Sequence, residues 1–244
     1  FDGVLPKENT ERFLTAPTSN FDLLSALYAV RYAGGNGSFP IFEDGETSIL
    51  TAQTTGRGQK LRIELGDFDT TISAVTGPFL ESRGIRELLI NFGIDDDRLP
   101  LRIRVKTARG LFVATLTAVQ NAPPEVRVPS PTPTPAKTPT PVQTPRPQPT
   151  PTPYIDDQPL LPELSFALGE AADYHVTRGG KQVATLRLSA AERRLFNKRD
   201  ALKLTATVTG VDQGNTVFAL GDAMTTYVVP ETLAPIQSEM KFAG

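Results

Sequence analysis

Residues 129–153 read PSPTPTPAKTPTPVQTPRPQPTPTP, and eleven of the 25 are proline. Proline fixes φ and carries no amide hydrogen, so this stretch cannot form a packed helix or a central strand. Alternating Thr-Pro favours extended polyproline II geometry, with a reach of roughly 75 Å at about 3.1 Å per residue. The stretch therefore divides the chain, and the expectation is a semi-rigid Pro/Thr-rich linker over 123–155 with one folded domain on each side. An SH3- or WW-type ligand is the rival reading, disfavoured by the monotonous spacing and the scarcity of flanking basic anchors. Pro/Thr spacers of this type are also O-glycosylated outside cells.

The chain of 244 residues is 39% apolar and 7% aromatic, enough for folded domains on both sides of a spacer. Twenty-five basic residues face 27 acidic ones, a balance without the basic field of a non-specific nucleic-acid binder. The run ERRLFNKRD (residues 192–200) is basic locally and reads as a solvated helix face. Cysteine is absent, which removes disulfides, thiolate metal sites and cysteine nucleophiles. The apolar stretch LLSALYAV (residues 23–30) is far shorter than the roughly 20 residues that cross a bilayer, so no membrane span is expected.

The first domain is expected over 1–122, mostly β with one helix near 20–33. TSNFDLLSALYAVRYAGG supplies the helix signature: Ser19 as N-cap, Asp22 three residues on, apolar positions 23, 24, 27, 28 and 30, and Gly34–Gly35 as the stop. TSILTAQ, QKLRIEL, DTTISAV, LPLRIRV and GLFVATLTAV read as strands. In LRIRVK, Leu101, Ile103 and Val105 alternate with Arg102, Arg104 and Lys106, the period of a half-buried strand. SRGIRELLINFGIDDD reads as either a short helix or an irregular strand.

The second domain is expected over 156–244. LSFAL, DYHVT, QVATLRL, ALKLTATVTG, NTVFAL and TTYVV are strand candidates spaced as in a β-sandwich. SAAE at 189–192 has the capping-box pattern and predicts one helical turn between two strands. The segment ATLRLSAAERRLFNKRDALKLTATVTGVDQGNT (residues 184–216) resembles immunoglobulin-like modules of secreted bacterial cell-surface proteins. The likeness is carried by Leu188, Ser189, Arg193, Arg194, Leu195, Leu202, Lys203, Thr205, Thr207, Val208, Asp212, Gly214, Asn215 and Thr216. The closing segment, LGDAMTTYVVPETLAPIQSEMKFAG, departs from that pattern. The resemblance implies an extracellular Ig-like β-sandwich and brings no catalytic residue. LPLRIRVKTARGLFVATL is a weaker echo of the same unit, which leaves open whether the first domain repeats the second.

Chemistry-bearing patterns are sparse. The single histidine, His175, sits between Tyr174 and Val176 in a strand-like run, where a structural role is the default. GGNGSFP lacks nucleophile-elbow spacing, and RGGKQ lacks the rest of a phosphate-binding loop. Asp95, Asp96 and Asp97 in GIDDDRLP, with Asp67 and Asp69 in GDFDTT, are weak Ca²⁺ candidates. Neither stretch matches a defined calcium loop, and turn-forming aspartates explain both. Sugar-stacking platforms are poorly supplied, with no Trp and five Tyr. NGS at 36–38 is a lone three-residue sequon.

These features point to a non-enzymatic structural or adhesive subunit of an extracellular or particle-surface assembly, with neither cofactor nor metal. Its partners would be other protein subunits, as a homo-oligomer or larger assembly, with glycan contact left open. The alternative is a ligand- or carbohydrate-binding accessory module of a secreted multidomain protein.

Overall fold

The computed structural model describes residues 21–43, 46–121, 164–213 and 215–243. Within them lie two helices, α1 (Leu23–Tyr32) and α2 (Pro78–Ser82), and eleven strands. In chain order the strands are β1 (Gly37–Glu43), β2 (Glu46–Ile63), β3 (Gly66–Thr76), β4 (Ile85–Gly93), β5 (Pro100–Thr107) and β6 (Gly110–Asn121). They continue with β7 (Glu170–Arg178), β8 (Lys181–Phe196), β9 (Arg199–Val211), β10 (Ala223–Val228) and β11 (Pro235–Lys241). All eleven form one antiparallel sheet in sequence order. The protein is mainly β, as expected.

The expected division into two separate domains is not what these strands show. β6 and β7 pair along their whole length, from Phe112 opposite Arg178 to Asn121 opposite Glu170. The buried apolar side chains of both halves, from Leu24 to Leu233, form one continuous cluster. Asn121 and Glu170, the strand ends between which the Pro/Thr segment falls in sequence, therefore lie at neighbouring-strand distance. The segment itself, 123–155, lies outside the described residues. Strands β7–β11 continue the same up-and-down meander.

Helix α1 explains how the sheet is shaped. Seven of its ten residues are buried, and it touches β1 as well as β9 and β10. A helix enclosed on so much of its circumference, by strands from opposite ends of one sheet, requires the sheet to curl around it. Residues 21–22 lie in the seam. Phe21 N–H donates to Pro40 O of β1 at 2.5 Å, and the Asp22 carboxylate accepts a short hydrogen bond from Ser238 Oγ of β11. The result is an incomplete barrel whose edges flank the N-terminus of its own internal helix.

Several local expectations are revised. The N-cap of α1 is Asp22: its carboxylate accepts from Ser25 N–H (2.8 Å), while Asp22 N–H donates to Ser25 Oγ (3.0 Å). Ser19 lies outside the described residues. TSILTAQ and QKLRIEL belong to one long strand, β2, with bulges near Gly56 and Gly58. SRGIRELLINFGIDDD resolves as a turn leading into the irregular strand β4, bulged near both ends. SAAE makes no helical turn, because Ser189 Oγ bonds Thr205 Oγ1 across to β9 (2.6 Å) and β8 runs on through it. LSFAL and NTVFAL lie in turns and loops, whereas β1 and β11 are strands without a strand-like pattern. The β9 alternation holds: Leu202, Leu204 and Val208 are buried and Ala206 half-buried.

Candidate functional site

The interior of the curled sheet is divided by α1 into two unlike sides. Toward β7 and β8 only about 10 Å³ is left unfilled, and the buried charges are paired. Arg31, on the last turn of α1, forms a two-pronged pair with Glu170: Nη1 to Oε1 at 2.6 Å and Nη2 to Oε2 at 3.0 Å. The two side chains are only 3% and 7% exposed. Arg31 Nε also donates to Asp97 O (2.8 Å), and its guanidinium lies 5.8 Å from the Phe166 ring centroid. Such satisfaction is what a buried charge requires, since desolvation otherwise outweighs the ionic attraction. Tyr28 packs edge-on against Phe166, and Tyr174 Oη donates to Pro100 O at 2.9 Å. Burial pushes the hydroxyls of both tyrosines far above their ordinary range, more so at Tyr174.

Toward β2–β5 the same helix faces a hollow of about 150 Å³. Leu23, Leu27 and Val30, spaced four and three residues apart, line it from α1. Leu50 and Val75 close it from β2 and β3, Leu80 from α2, and Ile85, Leu88, Ile90, Ile103 and Val105 from β4 and β5. Every lining side chain is Leu, Ile or Val. Val30, Leu50, Val75, Leu80 and Ile90 are buried, whereas Leu27, Ile85, Leu88, Ile103 and Val105 are half-buried, and Leu23 is 41% exposed. The hollow thus has a closed floor and a side reaching solvent beside Leu23.

Helix α2 forms one wall. Its position is set by Gly77, at φ +155°, where a Cβ would stand 2.3 Å from Ile49 O of β2. A second cavity of about 140 Å³ lies behind it and shares Val75, Leu80, Ile85 and Leu88 with the hollow. Its remaining lining includes Glu81, Arg86 and Glu87. Glu87 is paired with Arg104 of β5 at 3.5 Å.

The residues singled out from sequence lie elsewhere. His175 is half-buried, its neighbours Tyr174 and Val176 pointing to the core. Asp95 Oδ1 accepts from Arg98 N–H (3.0 Å) as a turn cap, and Asp97 serves Arg31 through its backbone carbonyl. Asp67 and Asp69 are exposed on β3, Asp67 lying 3.8 Å from Arg62. No group of three metal-ligating side chains occurs among the described residues. Asn36 Oδ1 accepts from Thr54 N–H, tying the sequon to β2. Sequence reasoning took the lining residues of the hollow for ordinary core, and no local signal separates the two.

A family model described as a protein of unknown function, DUF3108, matches residues 4–117. That match includes α1 and all the strands lining the hollow, and it ends inside β6. No curated protein and no solved structure matches the chain. None of the described helices is long and apolar enough to cross a membrane.

Proposed function

We propose that this protein is a non-enzymatic binding protein that takes an apolar small molecule into the hollow between α1 and β2–β5. The observation that carries this reading is the wholly aliphatic lining of a solvent-reaching cavity beside α1. Native interiors are close-packed, and a void costs the contacts its walls forgo. Apolar cavities of about 150 Å³ take up small apolar molecules. The ligand-binding reading of the sequence is thereby favoured over a purely structural role. The test is displacement of an environment-sensitive fluorescent probe, with Ile103→Phe to fill the hollow. Saturable probe binding lost in Ile103→Phe, with the fold retained by circular dichroism, is the expected result. Equal binding by both proteins would sink the reading.

A subunit role in an extracellular assembly is the second reading, supported by the outer edge of β11. There Met240 of β11 and Phe242 just beyond its end are 59% and 76% exposed, and β11 has no outer neighbour among the described residues. Unpaired strand edges and exposed apolar groups are contact surfaces. Light scattering should then show association that Met240→Lys with Phe242→Ser abolishes; a monomer at all concentrations removes this reading.

A further inference from the structure

Resting on the binding reading above, we propose that the ligand is a single-chain anionic amphiphile. Its alkyl tail lies in the aliphatic hollow and its anionic head is held at Arg86, beside α2.

The lining selects the tail. A hollow walled only by Leu, Ile and Val offers no hydrogen-bond partner to a polar group inside it, and burying one unpaired is costly. It also offers no ring on which a flat aromatic ligand could stack. A saturated chain needs neither and fills narrow, irregular space by rotating its bonds.

The surroundings select the head. Arg86 lines the adjoining cavity and is itself exposed, so a polar end there can remain hydrated while the tail is buried. The adjoining cavity carries one cation and two carboxylates, and Glu87 is already engaged by Arg104. Arg86 is exposed and has no ion-pair or hydrogen-bond partner among the described residues. A guanidinium recognises carboxylate or phosphate in a two-pronged geometry. The tail and head sites are neighbours, since Val75, Leu80, Ile85 and Leu88 line both cavities. A molecule spanning them would therefore pass along the inner side of α2, whose placement Gly77 fixes.

Competition against the fluorescent probe, at low ionic strength, tests the proposal with n-alkyl carboxylates and n-alkanols of matched length. Affinity for both series should rise about fourfold per added methylene while the tail enters the hollow. It should then level off once the hollow is full. At each length the carboxylate should bind more tightly than the alcohol. Arg86→Gln should weaken carboxylates about threefold, the range of an exposed ion pair, and leave alcohols unchanged. Arg86→Lys should restore part of the difference. Ile103→Phe should abolish both series, and Leu88→Phe serves the same purpose if that variant does not fold. Probe binding with no preference for carboxylates and no effect of Arg86→Gln would overturn the anionic head while leaving the hollow as a binding site. Affinity rising without a plateau, or unaffected by the filling variants, would overturn the tail assignment. Failure of the probe itself to bind would sink the binding reading on which the proposal rests.

Discussion

The two sides of α1 were built from the same helix and the same sheet, yet they differ in kind. On the β7–β8 side an arginine, a glutamate and two tyrosines are buried, and the arginine, the glutamate and Tyr174 are hydrogen-bonded. On the β2–β5 side there are only aliphatic groups, and they leave space unfilled. The polar side fixes the helix, because directional bonds allow one arrangement. The apolar side tolerates a guest, because dispersion contacts have no preferred direction. A barrel holding its helix rigidly along one face can leave the other face incomplete without losing the fold.

The largest expected effect attacks the fixed side. Arg31→Met leaves Glu170 buried without its cation and should cost about 3–5 kcal/mol in urea unfolding. Adding Glu170→Leu should recover most of that loss. Failure of the double variant to recover would mean that Arg31 acts through packing or its Asp97 bond and not through the pair.

Next comes a matched truncation. Leu204→Ala, in the filled core of β9, should cost about 2–5 kcal/mol, as deletions from packed sites do. Leu88→Ala, beside the hollow and half-buried, should cost about 1 kcal/mol, since fewer contacts are lost. Equal losses would show that the hollow is packed in solution.

Added volume should reverse the sense of that test. Ala172→Leu, against Tyr174 and the ion pair, should cost about 1–3 kcal/mol by overpacking. Ile103→Phe should change stability by less than about 1 kcal/mol because the added ring has somewhere to go. Similar penalties at both sites would erase the distinction between the two sides.

The smallest effect per step is a titration confined to the fixed side. Tyr28 and Tyr174 have hydroxyls raised by burial, so folded and unfolded chains are both neutral there below pH about 10, and stability is fully present. Above that pH the unfolded chain loses these protons while the folded one keeps them. Stability should then fall by about 1.4 kcal/mol per pH unit for each group, until the folded-state values are reached. Tyr174→Phe should reduce this slope, as read from denaturation midpoints between pH 9 and 11. An unchanged slope would mean Tyr174 is solvated.

Much of the local structure was legible, and the reason for each miss is physical. LRIRVK and ALKLTATVT announced strands because one face meets the core and the other does not. The helix was legible from its apolar spacing, but Ser19 and Asp22 both fit a cap, and only the reciprocal bonds with Ser25 decide between them. SAAE satisfies a capping box, yet Ser189 found Thr205 on the neighbouring strand, a partner no local pattern names. β1 carries Pro40 and β11 is largely polar, so these edge strands lack the alternation that marks the inner ones. The Arg31–Glu170 pair joins residues 139 apart in sequence, and neither residue differs locally from a surface charge. The hollow was illegible for a simpler reason. A leucine beside empty space and a leucine in full contact are the same letter.

The β6–β7 ladder has a consequence for how the chain is assembled. Every other strand pairing joins near neighbours, so β1–β6 and β7–β11 are each local meanders of the kind that form early. Bringing Asn121 opposite Glu170 instead closes a long loop, and its entropic cost depends only weakly on length: a roughly twofold shortening should stabilise by about 0.6 kcal/mol. Deleting 129–153 should therefore leave the barrel intact and slightly steadier. Severing the chain within the same stretch should yield two polypeptides that are each unable to finish the barrel. Mixed, they should recombine through the ladder and the buried ion pair, with a melting point that rises with concentration. The backbone connection across the centre of this protein would then be a matter of kinetics and stoichiometry, while the architecture is written entirely in the pairing of β6 with β7.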